Sequence, residues 1–470
     1  MIVMKFGGTS VESVTAIRRV AGIVRGRLHC CPVVVASAMG GVTDRLVEMG
    51  AAAASGRLNL AIQLLRQVSE RHHEAARELL NPAGFAHLQP KLDRHFTAAE
   101  NLLCRIAVAQ RVTPRASDEL LSFGELVSSE LVAAAFVAAG LNAVHVDARE
   151  CIVTDARHTK AVPKFEESQV RLAANIELPL RSGCVPVLGG FIAATQDGVP
   201  TTLGRGGSDF TAALVGAALR AERIEIWTDV PGIMTTDPAI CPRAQLIPAV
   251  SFAEAAELAQ FGAKVLHPGT LVPALEHNIP VHVLNSREPG CEGTRIERDA
   301  PPQSSFRAIS VKKGMTVVNV AGKQSWDPRG FLPAVLAIFD RHNCHVDAVA
   351  TAQSSISLAV GSKEALPAIA AELEPLGVVS CENSKAIVCV VGDDLHRSPK
   401  IAAKVLTTVA DADVKVRMIS HGASDISINF VIEERDVVDT VSRLHHALFS
   451  TPREEAALTA ASNYSGPMMS

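Results

Sequence analysis

Aromatic side chains are scarce in this 470-residue chain, which has one Tyr, two Trp and fifteen Phe. Platforms on which nucleic-acid bases stack are therefore not expected. An excess of one charge is lacking too. The formal net charge of −4 gives neither nucleic acid nor an anionic membrane an electrostatic reason to bind. Uncharged stretches such as residues 131–144 stop short of the ~18 residues that span a bilayer. The start, MIVMKFGG, has neither the basic beginning nor the apolar stretch of a secretory signal, so a cytoplasmic location is expected. The ten cysteines form no CxxC pair, and the adjacent Cys30 and Cys31 suit neither a zinc site nor a disulfide framework. Reduced core thiols are the expectation. Several signatures are missing. There is no GxxxxGK[ST] phosphate loop, no GxGxxG dinucleotide turn, no HRD and DFG set, and no HExxH.

What is present is a chain long enough for roughly three domains of about 150 residues. Over the first 300 residues or so, short apolar runs alternate with long helical patterns. Strands are expected at 2–6, 31–36, 143–146, 185–189 and 223–227, with helices at 11–27, 43–56 and 125–139. A helical stretch at 58–109 is punctuated by Pro82 and Pro90. Such alternation predicts an α/β domain whose largely parallel sheet lies between helix layers. A Pro-rich break at 299–305 reads as the linker that ends it. Beyond it, 314–385 reads as a βαββαβ unit, and 386–449 as a second that lacks its sixth strand. The unassigned strand at 306–312 is expected to close that second unit, making it discontinuous. Residues 450–470 are expected to fray.

Three turns carry candidate chemistry. In Lys5-Phe6-Gly7-Gly8-Thr9-Ser10, two glycines let backbone N–H groups approach an anion at a helix start, and Lys5 supplies a mobile point charge. A tight turn with a surface lysine would read the same way. Ala36-Ser37-Ala38-Met39-Gly40-Gly41-Val42-Thr43 repeats the pattern, with Ser37 and Thr43 as anion ligands or as helix caps. Leu203-Gly204-Arg205-Gly206-Gly207-Ser208-Asp209 sets a planar guanidinium fork among three glycines, a pattern suited to gripping a carboxylate. Asp209 would hold nearby lysines or simply favour the helix dipole. Further on, 227–238 follows a strand where a nucleotide can lie. Lys264 in Phe261-Gly262-Ala263-Lys264-Val265-Leu266-His267-Pro268 either neutralises phosphate or favours a helix end, and His267 reads as structural.

In this order, KFGGTS, SAMGGVT, SFGE at 122–125, LGRGGSD, TDVPGI and FGAKVLHP make the chain resemble the aspartate kinases from Lys5 to about Phe449. The single-function, lysine-sensitive type is the most similar. The resemblance implies an amino-acid kinase fold followed by two ferredoxin-like ACT domains. It also implies transfer of the ATP γ-phosphate to the side-chain carboxylate of L-aspartate, the first step toward lysine, threonine and methionine. By the same resemblance, Lys5 and Asp209 would be catalytic. Thr43, Glu125, Phe191, Arg205 and Ser208 would bind aspartate, Arg205 through a carboxylate and Glu125 beside the α-ammonium. Gly7, Gly8, Ser37, Thr228, Asp229, Met234, Lys264 and Val265 would bind nucleotide. Mg²⁺ would bridge phosphates rather than occupy a protein cage, so no metal ligands are assigned. Met234 and Ala239 replace the tyrosine and arginine usual in the family's PGIYTTDPR.

Effector-binding positions implied by the resemblance are Ser325, Gly330, Leu332, Val346, Asp347, Thr351 and Gln353. Gln353 stands where lysine-sensitive members carry an acid, and Ser325 where they carry methionine. A lysine ammonium prefers an anionic partner, so weak lysine inhibition is expected, with threonine the alternative effector. ACT domains generally pair edge to edge, which makes a homodimer the default. Two other readings are an acetylglutamate-type kinase and a catalytically dead sensor. The paired C-terminal units argue against the first, and the presence of Lys5, Arg205 and Asp209 against the second. A piece of a bifunctional kinase–dehydrogenase is a third, but no dehydrogenase half follows in this sequence.

Overall fold

A computed structural model describes residues 1–262, 268–301, 306–322, 328–352, 354–361, 364–392, 395, 399–421 and 426–450. Of the tail expected to fray, all but Ser450 lies outside these. The chain divides into two compact units. One is Met1–Ile233 with Pro248–Phe252 and Val265–Ala300, the other Met234–Ile247 with Ala253–Lys264 and Pro301–Ser470.

Strands of the first unit are β1 (Ile2–Phe6), β2 (Pro32–Ala36), β3 (Ala143–Val146), β4 (Val153–Thr154), β5 (Val185–Gly189), β6 (Ile192–Thr195), β7 (Pro200–Thr202), β8 (Arg223–Thr228), β9 (Ala249–Ser251), β10 (Val281–Asn285) and β11 (Thr294–Glu297). Eight of them form a sheet in the order β3-β5-β2-β1-β8-β10-β11-β9. From β3 through β10 all neighbours run parallel, and β11 turns back against β10. Every residue of β2 and β5 is buried. Their near-continuous apolar runs follow from being covered on both faces. A small sheet, β4-β6-β7, lies apart.

Helices α1 (Val14–Arg25), α2 (Val42–Ala54), α3 (Leu58–Leu79), α4 (Pro82–Ala109), α5 (Pro114–Ala138), α6 (Ala148–Cys151), α7 (Phe165–Arg181) and α8 (Gly207–Leu219) fill the connections. The expected strands all form, but two helical expectations need correcting. Pro82 does open a helix, at its first position, whereas Pro90 lies inside α4. The hydrogen bond it forgoes is offset by a buried face that includes Leu88, Leu92, Phe96, Leu102 and Leu103. The helix expected from Glu125 begins eleven residues earlier, at Pro114, where Thr113 accepts a capping hydrogen bond from Ala116 N at 3.1 Å. As a result α5 is long and apolar enough to cross a bilayer, but 78% of its most apolar window is buried inside the unit.

The second unit begins its helices with α9 (Phe252–Gln260, its first residue counted in the first unit), while α10 (Val272–Glu276) returns to the first. Strands β12 (Ala308–Gly322), β13 (Val346–Ala352), β14 (Ser355–Val360), β15 (Gly377–Val391), β16 (Met418–Ser420) and β17 (Ser427–Glu433) then make one sheet, ordered β13-β14-β12-β15-β17-β16. Helices α11 (Pro328–Arg341), α12 (Leu366–Leu373), α13 (Pro399–Asp411) and α14 (Val437–Phe449) accompany it. The 306–312 strand and the first strand of the 314–385 unit are one strand, β12, and the last strand of that unit runs on into the first strand of the 386–449 unit as β15. Within β12, Ala308–Lys312 pairs with Val391–Ile387, while Met315–Gly322 pairs with Lys385–Gly377, the register slipping between them. Two cores result. Val318, Val320, Ile356 and Leu358 pack with Phe331, Val335 and Phe339 of α11. Val388, Val390, Ile428 and Phe430 pack with Val405 of α13 and Val441 and Leu444 of α14. Period-two strand faces meeting period-3.6 helix faces give the two α/β sandwiches of paired ACT units.

All ten cysteines are free, but only Cys151, Cys241, Cys344 and Cys389 are buried. Cys31, Cys104 and Cys381 are exposed, so the expectation of core thiols holds for fewer than half.

Candidate active site

Lys5 lies on β1, with β2 and β8 parallel on either side. The turns after these strands therefore leave the same carboxyl edge of the sheet, where open α/β sheets hold ligands. Backbone hydrogen bonds lace the turns together. Ser37 N donates to Phe6 O at 3.1 Å, Gly40 N to Gly8 O at 3.1 Å, and Gly190 N to Ala36 O at 2.8 Å.

Two glycines let the far wall close. A Cβ on Gly190 would lie 2.6 Å from Ser208 Cβ, and one on Gly207 would lie 2.6 Å from Phe191 Cδ2. Only bare backbone fits at either point, so the 189–191 and 206–209 segments interlock. Phe191 is held at φ +66, its amide donating to Thr211 Oγ1 at 3.0 Å. A non-glycine residue there is strained, a condition that clusters at functional sites.

Asp209, in the first turn of α8, meets Lys5. Nζ and Oδ1 are 2.6 Å apart, with the side chains 11% and 12% exposed. At that separation the pair is a close charge-assisted contact, and a developing negative charge nearby can compete for the ammonium. Glu125, deep on α5, accepts from Ala38 N through Oε1 at 3.3 Å, while the buried Oε2 has no partner. Burial pushes its carboxyl up to about 8, against the lowering effect of the Ala38 hydrogen bond. Without a cation beside it the group therefore rests mainly as the neutral acid near neutral pH, and a neighbouring cation would favour the carboxylate.

These groups surround a cavity of about 340 Å³. Of the residues read from the sequence, Lys5, Gly8, Ser37, Thr43, Glu125, Phe191, Ser208 and Asp209 line it together. Arg205 does not line it and is exposed at the tip of its loop. Gly7 does not line it; its amide donates to Trp227 O at 3.1 Å, and a Cβ there would lie 3.6 Å from Lys5 Nζ. Thr228 ends β8 beside β1, and its hydroxyl donates to the exposed Asp229 at 3.3 Å. Met234 belongs to the second unit, where it bridges Leu246. Lys264 and Val265 lie outside the described residues. Asp44 was missed, although it lines the cavity from the first turn of α2. An acid there reads as ordinary dipole stabilisation, which gave no reason to single it out. Among the described residues, no three His, Cys, Asp or Glu side chains converge to hold a metal ion.

Of the expected effector positions, Ser325 and Gln353 lie outside the described residues. Gly330, Leu332 and Thr351 are exposed and Val346 is half-buried. Asp347 stands at a break in the β13 register, where the side chain turns inward to 2% exposure and pairs with Lys312 Nζ.

This glycine-walled cleft at the carboxyl edge of a parallel sheet, with a lysine–aspartate pair in its lining, is the kind of site an amino-acid kinase uses. Residues 1–285 match the amino acid kinase family, and residues 388–448 match an ACT domain. The lysine-sensitive aspartokinase 3 of Escherichia coli (strain K12) is 35% identical over 462 residues, spanning 96% of this chain and 99% of that protein. The chloroplastic aspartokinase 1 of Arabidopsis thaliana is 35% identical over 466 residues, 96% of this chain and 80% of that one. The fold superposes on E. coli aspartokinase III in complex with aspartate and ADP with a TM-score of 0.83 at 34% identity, covering 96% and 100% of the two chains. The same enzyme in complex with lysine and aspartate gives 0.81 at 34% identity, again covering 96% and 100%. The chain belongs to the aspartokinases.

Proposed function

We propose that the cleft moves the γ-phosphoryl group of ATP onto the side-chain carboxylate of L-aspartate, giving 4-phospho-L-aspartate and ADP. A carboxylate oxygen forms the new bond to phosphorus as the bond to the β,γ-bridging oxygen breaks, so the protein need supply no nucleophile. The Lys5–Asp209 pair in the cavity lining carries this reading. As charge builds on the transferring group, the Lys5 ammonium shares its attention between Asp209 and that charge, and Asp209 keeps it aimed. Glu125 offers its unpartnered Oε2 to the substrate α-ammonium. Arg205, free to swing from the loop tip, grips the α-carboxylate, and Thr43, Phe191 and Ser208 complete the wall. Gly7, Gly8, Ser37, Thr228, Asp229, Met234, Lys264 and Val265 are assigned to the nucleotide. Mg²⁺, where bound with ATP, would screen the charge of the phosphates.

The catalytic domain is taken as 1–298 and the linker as 299–305. The first ACT domain is taken as 314–385, and the second as 306–313 plus 386–449. An amino-acid effector binds at the first, and a homodimer or higher assembly forms through these domains. Because Asp347 is already neutralised by Lys312, free lysine is expected to be a weak inhibitor and threonine a better one. A cytoplasmic location completes the reading. Hydroxylamine trapping tests the reaction itself, since an acyl phosphate yields a hydroxamate. Aspartate-dependent hydroxamate is expected, and its absence from folded protein given ATP and Mg²⁺ would refute the assignment.

A further inference from the structure

Asp118 on α5 is fully buried and lies outside the cavity wall, yet it accepts hydrogen bonds from three sources. Thr202 Oγ1 donates to Oδ1 at 2.6 Å, and His158 Nδ1 to Oδ2 at 2.8 Å. The Thr159 amide donates to both oxygens at 3.0 Å. A carboxylate suits this cluster because it only accepts, whereas an amide would turn N–H groups toward donors.

What the cluster holds is the base of the substrate loop. Thr202 ends β7, and the next residues are Leu203, Gly204 and Arg205. Leu203 N donates to Phe191 O at 2.9 Å, so the cavity's Phe191 hangs on the same strand end. Thr159 is a β-branched residue at φ +70, a conformation that persists only where surroundings fix it. Its amide is fixed by Asp118. Its carbonyl oxygen lies 3.3 Å from where a Cβ on Gly204 would be, and Gly204 is itself at φ +76. The strained turn thus lies close against the first residue of the Arg205 loop, where only a glycine leaves it room.

We propose that Asp118, with Thr202 and His158, is a positioning residue for aspartate binding: it sets the height of the Gly204–Ser208 loop and of Phe191 over the cavity. This rests on the aspartate-kinase reading. The Lys5 turn and β8, assigned to nucleotide, make none of these contacts, so the effect is selective.

Steady-state kinetics separate the two substrates. Asp118→Asn is expected to raise the KM for aspartate about tenfold, the scale of losing one buried charge-assisted hydrogen bond, with the KM for ATP within about twofold of wild type. Thr202→Val, which keeps the shape and removes one donor, is expected to raise the KM for aspartate about threefold, and Thr202→Ser to restore it. The Thr202 pair carries the test if Asp118→Asn does not fold. Active wild type with the KM for aspartate unmoved, or with both KM values raised together, overturns the positioning role. A wild type without aspartate-dependent turnover overturns instead the function on which it rests.

Discussion

Glu125 is the cavity residue whose ionisation burial shifts. Its folded carboxyl titrates near 8 against an ordinary 4.5 because burial removes the water that would solvate its charge. Between those values the folded protein holds a proton that the unfolded chain has released. Its contribution to stability is thus full below about 4.5 and is lost as pH rises through about 8. Aspartate binding has the opposite preference, because only the carboxylate can pair with an α-ammonium. The KM for aspartate is therefore expected to fall as pH rises from 6 to 8, by up to about tenfold per unit, and Glu125→Gln is expected to flatten the profile. A profile that stays steep in Glu125→Gln would assign the titration elsewhere. Lys5, Asp209 and Glu125 were legible because each falls in a turn or motif of recognisable pattern. Asp118 was not, since a single acid on a helix carries no spacing signal and its partners lie 40, 41 and 84 residues away.

At the scale of elements, five strands of the parallel sheet were legible from their apolar runs, while β10, interrupted by His282, and the short β6 and β7 were not. A four-residue and a three-residue strand are too short to display a period. The start of α5 was available in Thr113-Pro114, a cap followed by a first-turn proline, but the apolar run after Glu125 outweighed it. Pro90 carries its own test. It is exposed on α4 and deprives that helix of one hydrogen bond. Pro90→Ala is expected to stabilise the protein by about 1–2 kcal/mol, helix propensity gaining more than unfolded-chain entropy loses. Thermal unfolding measures it, and the kinetic constants should not change. At the cavity, Gly207→Ala is expected to separate the two interlocked segments and cost about 1–3 kcal/mol through overpacking against Phe191. Unchanged melting and turnover in that variant would mean the interlock is softer than its geometry implies.

For the whole molecule, the βαββαβ rhythm beyond residue 306 was readable, but the continuity of β12 and β15 was not. A charged turn at 312–314 looks like a strand end, whereas the ladder absorbs it as a register slip. The proposed preference of the second unit for threonine over lysine rests on charge. Lys312 already neutralises Asp347, so inhibition titrations are expected to give a weaker response to lysine than to threonine, and potent lysine inhibition would contradict this. ATP turnover with aspartate, glutamate and acetylglutamate, in wild type and in Lys5→Ala, decides whether the chain is an aspartate kinase. Turnover on aspartate above the other two, reduced at least about a hundredfold by Lys5→Ala, is the expected result. Equal turnover on acetylglutamate, or a Lys5→Ala variant as active as wild type, would contradict it.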